Sequence, residues 1–205
     1  NNLYYLHQYK KGVIQQLLNQ EIRFKNDFGN EFEEWEEKKL IDIAVHITKK
    51  NKSNDVTFVL TNSATKGIVS QQDFFDKDIA NQNNLFGYYI VEKDDFVYNP
   101  RISNNAPVGP VKRNHFGLGV MSPLYTVFRF KDNDLRFFEY YFETTNWHQY
   151  LQSVANYGAR HDRMNITNSN FFKMLIPVPS QPEQKKIADF LAAIDYKIVC
   201  ISQGL

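Results

Sequence analysis

A single cysteine, Cys200, occurs in a chain of 205 residues. That excludes a disulfide framework and leaves too few soft ligands for a structural zinc site, so a cytoplasmic setting is the default expectation. Excess charge is equally scarce, because 24 Lys and Arg stand against 23 Asp and Glu for a formal net charge of +1. A protein that coats nucleic acid through a uniformly basic surface is therefore excluded. No apolar run is long enough to cross a bilayer, and no secretory signal opens the chain. Internal repeats and low-complexity tracts are also missing. The chain starts in mid-pattern with Asn rather than Met, which reads as a piece of a longer protein.

Catalytic signatures are broken wherever they begin. Asn99-Pro100-Arg101-Ile102 starts like the Asn-Pro-Pro-aromatic motif with which amino-methyltransferases hold a target base, but its third and fourth positions are wrong. Phe116-Gly117-Leu118-Gly119 puts Leu118 where an S-adenosylmethionine loop needs a Gly for close backbone approach. Glu36-x-Lys38 is similar to the tail of a restriction-nuclease metal site, yet the upstream acid it would need, Asp27, lies in a turn of a very acidic run. A solvated charge run is the reading. His7, His46, His115, His148 and His161 show no i, i+4 pairing and no ligand spacing, so no metal is expected. No Ser stands in a Gly-x-Ser-x-Gly turn, and Cys200 falls on a predicted helix, which leaves nucleophilic catalysis without a candidate.

What the chain has in abundance is aromatic surface. Hydrophobic residues make up 42% and aromatics 15%, with 17 Phe and 12 Tyr, which excludes disorder and favours a large, strand-rich core. The length suits one globular domain with helical arms better than two domains. Charge is unevenly spread: no acid occurs between Phe96 and Lys131, and Asp162 is the only one between Thr144 and Pro182. Acids crowd instead between Glu21 and Asp42. A folded unit with one electropositive and one acidic face follows.

Apolar spacing predicts a helix over Leu3 to Leu18 that ends near Asn19 and Gln20, either packed on its own domain or acting as an arm that pairs with the C-terminal helix of this or another chain. Asp55–Leu60, Gly87–Val91, Phe96–Tyr98, Val120–Phe130 and Met174–Val178 read as strands of a mixed or antiparallel sheet. Leu135 to Ala155 suits one or two amphipathic helices packed against that sheet. Near the end, Leu175-Ile-Pro-Val-Pro-Ser-Gln-Pro-Glu-Gln-Lys-Lys-Ile-Ala-Asp-Phe-Leu191 runs from a strand through prolines into a helix. Ser180 and Glu183 have capping-box spacing, Pro182 occupies the first turn, and Ile187, Phe190, Leu191, Ile194, Ile198 and Ile201 form the single apolar stripe that a coiled-coil seam requires.

Two loops carry side chains suited to base edges. Pro100 to His115 combines Arg101, Asn104 and Asn105 with Lys112, Arg113 and His115, and Pro and Gly hold its turns. Arg can bond bidentately to guanine and Asn to adenine, whereas Lys112, Arg113 and His115 are better suited to phosphates. The second loop, Tyr157 to Asn165, offers Arg160, His161, Arg163 and Asn165.

The chain resembles the DNA-specificity subunit of type I restriction-modification enzymes over nearly its whole length. Lys10 to Leu18, Gln20 to Phe24 and Trp35 to Leu40 are similar to the end of a central spacer helix leading into a second recognition domain. Thr65-Lys-Gly-Ile-Val69, Asp95-Phe-Val-Tyr-Asn-Pro100, Gly119-Val-Met-Ser-Pro-Leu-Tyr125 and the Leu175 to Leu191 junction then follow in the family's order. The resemblance implies an α+β fold: one mixed-sheet target-recognition domain at 23–178, after a spacer-helix end at 1–22 and before a conserved helix starting at 179–205. The two helical arms would form antiparallel coiled-coil pairs.

As function, the resemblance implies a non-catalytic subunit that reads one half of a bipartite target on double-stranded DNA and positions methyltransferase and restriction subunits. No cofactor is implied on this chain; S-adenosylmethionine belongs to the partner methyltransferase subunit. A missing second half, or a homodimer through the arms, would complete the subunit. The DNA-binding residues expected are Arg101, Asn104, Asn105, Lys112, Arg113, His115, Arg160, His161, Arg163 and Asn165, with Lys66 as an outlying phosphate contact. Arg101 and Arg160 are expected on one side. A non-DNA scaffold acting through its arms, and an active nuclease or methyltransferase, are the competing readings.

Overall fold

A computed structural model describes residues 2–74, 85–131, 133–156 and 161–204. Helix α1 (Asn2–Leu18), strand β1 (Glu36–Lys39), the single turn α2 (Leu40–Ile43) and β2 (Ala44–Ile47) come first, followed by β3 (Leu60–Ser63), β4 (Gly67–Ser70) and the short α3 (Gln71–Phe74). Then come β5 (Tyr89–Val91), β6 (Phe96–Tyr98), β7 (Val111–Arg113), β8 (Gly119–Met121) and β9 (Thr126–Phe130). The chain closes with α4 (Leu135–Tyr141), α5 (His148–Val154), α6 (Asn168–Phe172), β10 (Leu175–Val178) and the long α7 (Gln181–Gln203). These elements fall into two compact units, one of Asn1–Lys38, Asn133–Asn146 and Ile176–Leu205, the other of Lys39–Asp132 and Trp147–Leu175.

The first unit is a helical assembly. Helix α1 buries Val13, Ile14, Leu17 and Leu18, and α7 buries Ile187, Ala188, Leu191 and Ile194, each the stripe that the spacing of threes and fours places on one face. Lys10 reaches Asp195 at 2.8 Å, whereas Arg23 and Phe24, beyond the end of α1, meet Glu183 and Phe190. The two segments therefore run antiparallel within one chain. Helix α4 packs on α7, and the Tyr140 hydroxyl donates to Asp195 at 2.7 Å. This placement differs from the expectation that all of Leu135 to Ala155 covers the sheet: α4 joins the helices, and only α5 lies in the sheet-bearing unit.

The capping box expected at the start of α7 does not form. Ser180 makes no side-chain cap bond, and its hydroxyl is buried without a partner among the described residues. Glu183 is fully buried and is claimed from elsewhere: Arg23 donates through Nε and Nη2 at 3.1 and 2.9 Å, and the Trp35 indole donates at 2.9 Å. A guanidinium fork gives a carboxylate more than one cap bond can, so the distant partner wins.

The second unit contains strands β2 to β9, whereas β1 and β10, which pair with each other, fall almost wholly in the first. Its central sheet has the order β2-β9-β6-β7, and the hairpin β3-β4 and the pair β5-β8 lie beside it. Every ladder in this unit is antiparallel, and among the described residues the parallel contact is an isolated bridge between Val59 and Val120. Of the mixed or antiparallel sheet expected from sequence, the antiparallel form is what this unit shows, divided into several small sheets. Side chains alternate in direction along a strand. Phe96, Phe128 and Phe130 accordingly meet one another, and Phe128 meets Phe171 and Phe172 of α6, while Val97 and Val127 join Leu60, Ile68, Val91 and Met121 in a separate aliphatic cluster. The aromatic face of the sheet is buried, each fully covered aromatic contributing roughly 1.5–3 kcal/mol, whereas the other is buried at Val97 and Val127 and opens to solvent at Val45 and Arg129.

Candidate nucleic-acid interface

The loop between β6 and β7 is held by its own polar groups. Asn99 donates its backbone N–H to Pro110 O and its side-chain amide to Asn62 O, both at 2.9 Å, while its Oδ1 accepts from Arg101 N at 3.0 Å. Asn62, on β3, donates in turn to Val97 O at 2.7 Å and Pro110 O at 3.2 Å. The Tyr98 hydroxyl donates to Val108 O at 2.9 Å; burial raises the pKa of this phenol, which stays protonated as that bond requires. At the tip, Ser103 and Ala106 exchange backbone bonds of 3.0 Å in both directions, leaving Asn104 and Asn105 as a two-residue turn.

The second predicted loop lies against the first. Arg101 and Arg163 form an antiparallel bridge, flanked by Ile102 N–H to Asp162 O at 3.1 Å and Met164 N–H to Pro100 O at 2.8 Å. Arg163 holds the Asp162 carboxylate through Nε and Nη2 at 3.4 and 3.2 Å. That bond, with Arg101 also contributing, keeps the Asp162 carboxyl below its ordinary pKa. Two clefts open beside this ladder. One, of about 470 Å³, is lined by Thr61, Ser63, Arg101 and Asn105 among others; the next, of about 540 Å³, by Tyr98, Arg163, Asn165 and Asn168. Leu124 and Tyr125 belong to both.

The predicted residues divide between two ends of the β6-β7 hairpin. Arg101, Asn104 and Asn105 are exposed at the cleft end, with Arg163 half-buried and His161 and Asn165 exposed on the neighbouring segment. Lys66 follows Ser63, Ala64 and Thr65 of the cleft wall, its ammonium 5.6 Å from the Phe74 ring. Arg160 lies outside the described residues. Lys112 sits in mid-strand opposite Val97, while Arg113 and His115 lie toward the far end. There Arg113 binds Asp94 at 2.7 Å, and Arg129 binds Asp95 and Glu92 at 2.7 Å each. The cationic run is therefore neutralised at that end by acids that immediately precede it in sequence.

Positions that suggested catalysis have structural partners. The Asn99 amide is spent on backbone, Asn114 closes the Phe116–Gly117 turn by accepting from Phe116 N–H and donating to Gly117 O, and Lys38 and Lys186 bind Glu36 and Asp27. Sequence reasoning missed Thr61, Asn62 and Ser63 as parts of the site. The available signal was β3 itself, where Leu60-Thr-Asn-Ser63 is wholly buried although mostly polar.

Residues 32–204 match the family model described as the type I restriction modification DNA specificity domain. The chain belongs to this family. Comparison with curated protein sequences gives no match. Among solved structures, this specificity domain is similar to the HsdS subunit from Thermoanaerobacter tengcongensis, with TM-score 0.59 and 14% identity over 99% of this chain and 46% of that one. A structure from work on complex assembly and conformational transition of the type I R-M system gives TM-score 0.54 and 13% identity over 99% of this chain and 50% of that one. The specificity domain spans about half the length of these two chains, and at such identities the likeness is one of fold.

Proposed function

We propose that this specificity domain reads one half of a bipartite target on double-stranded DNA with the cleft end of its second unit, and that the helices of its first unit serve as spacer and dock for the methyltransferase and restriction subunits. The observation that carries the reading is the Arg101–Arg163 ladder, which sets two basic, Asn-bearing segments side by side in a member of this family. Arg101, Asn104, Asn105, His161, Arg163 and Asn165 face the duplex, with Arg160 in the same segment and Lys66 and Lys112 at its margin. Arg113 is left to Asp94, and His115 beyond it plays at most a peripheral part.

The chain selects DNA and does no chemistry; S-adenosylmethionine is bound by the methyltransferase subunit, in the cytoplasm. The antiparallel arms extend into coiled-coil pairing with the other half of the subunit, or with a second copy, through the exposed Tyr4, Tyr5, Val199 and Ile201. Among the described residues no helix is long and apolar enough to cross a membrane. Duplex affinity tested against salt decides the matter: it should fall steeply, by about 10³-fold or more between roughly 50 and 200 mM if six or more phosphates are contacted. A duplex affinity indifferent to salt, or none, would favour a protein scaffold.

A further inference from the structure

We infer that the Asn104-Asn105 tip is an adenine-reading element, so that the stretch of target beneath this loop contains an A·T pair read from the major groove. The inference rests on the DNA-reading function proposed above and adds the identity of a base. Three observations carry it. The tip is a two-residue turn closed by reciprocal Ser103–Ala106 backbone bonds of 3.0 Å, a narrow loop that the major groove, about 12 Å wide, has room to admit. Both side chains are exposed, and among the described residues neither amide has a hydrogen-bond partner. The turn is anchored on both sides, by Tyr98 to Val108 and by Ile102 to Asp162, so little ordering remains to be done on binding.

A side-chain amide presents one donor and one acceptor in a plane. In the major groove adenine offers the matching pair, N7 to accept from Nδ2 and the N6 amine to donate to Oδ1. Guanine offers two acceptors at N7 and O6, which suits a guanidinium rather than an amide.

The test is selection of bound duplexes from a random pool by the full chain, alone and with methyltransferase subunits, for the wild type, Asn104→Asp and Asn105→Asp. An aspartate accepts from the cytosine amine but has no donor for adenine N7. The wild type should enrich adenine at one fixed position, and at least one variant should move that position to cytosine, with a change in discrimination on the order of 5- to 150-fold. Unchanged base preference in both variants overturns the inference, as does uniform weakening on all sequences, which would assign the tip to phosphates. If the wild type binds duplexes but enriches no adenine, the inference fails while DNA reading stands. If it binds no duplex, both fail.

Discussion

Gly109 is the residue on which the geometry of the loop between β6 and β7 turns, and Gly109→Ala tests that geometry without altering any side chain proposed to face DNA. Gly109 has φ +83°, and a Cβ built there would lie 2.1 Å from Asn99 O and 3.2 Å from the Tyr98 ring. The first contact is with backbone, so no side-chain rotation relieves it. Asn99 or the 106–110 turn must move, and with it the Asn99–Pro110 and Tyr98–Val108 bonds. The left-handed conformation costs an L-residue roughly 1–2 kcal/mol, and forcing a methyl into packed surroundings typically adds about 1–3 kcal/mol. The expected loss is therefore about 2–5 kcal/mol in urea unfolding, accompanied by weaker duplex binding. Gly67→Ala is the control, because Gly67 has φ +72° and open space around its would-be Cβ, so it should lose only the conformational part. Equal losses for the two variants would refute the claim that the Gly109 site is closed by Asn99.

Glu183→Gln should destabilise the first unit by about 3 kcal/mol in chemical unfolding, because it leaves the Arg23 guanidinium beside a neutral partner in a buried setting; wild-type stability would mean that the Arg23–Glu183–Trp35 cluster contributes little. His46 and His148 have pKa values lowered by burial, and His46 Nε2 has no hydrogen-bond partner among the described residues. A folded pKa below the unfolded one means that stability is complete above about pH 6.5 and is lost as pH falls through the folded value. Unfolding at pH 7.5 and 5.5 should show this loss, and His46→Leu should reduce it; an undiminished loss would place its origin elsewhere.

Regular periodicity made some of this fold legible. The apolar spacing of α1 and α7 located both helices nearly to the residue, since a long stripe admits few registers. Short strands were less visible. Val120 to Phe130 reads as one β-branched and aromatic run but is two strands, because Pro123 lacks an N–H and Ser122 closes a turn onto Tyr125. Asp55 to Leu60 reads as a strand, yet the Asn51 amide bonds both polar groups of Val56 and holds that backbone out of a ladder until Leu60. Glu36–Lys39 is a strand composed of Glu-Glu-Lys-Lys, a pattern that carries no strand signal at all.

The candidate site was half legible for a similar reason. Composition marked the two basic loops, and the Arg101–Arg163 bridge joins them. Composition could not show that Arg113 and Arg129 are engaged by Asp94, Asp95 and Glu92, because ion pairing depends on which ends of the hairpin meet. Nor could it show that the Glu183 carboxylate serves Arg23, some 160 residues earlier, instead of its own helix cap.

On the proposed function, the cleft end of the second unit, and not the far end of its hairpin, meets DNA. The most direct measurement compares Arg101→Ala and Arg113→Ala, both folded at the assay temperature, for affinity toward a selected duplex and a random one. Arg101→Ala should lose on the order of 1–3 kcal/mol on the selected duplex and less on the random one if it reads a base, while Arg113→Ala should bind both as the wild type does. Loss of DNA affinity in Arg113→Ala with Arg101→Ala unaffected would move the DNA contact to the far end of the hairpin.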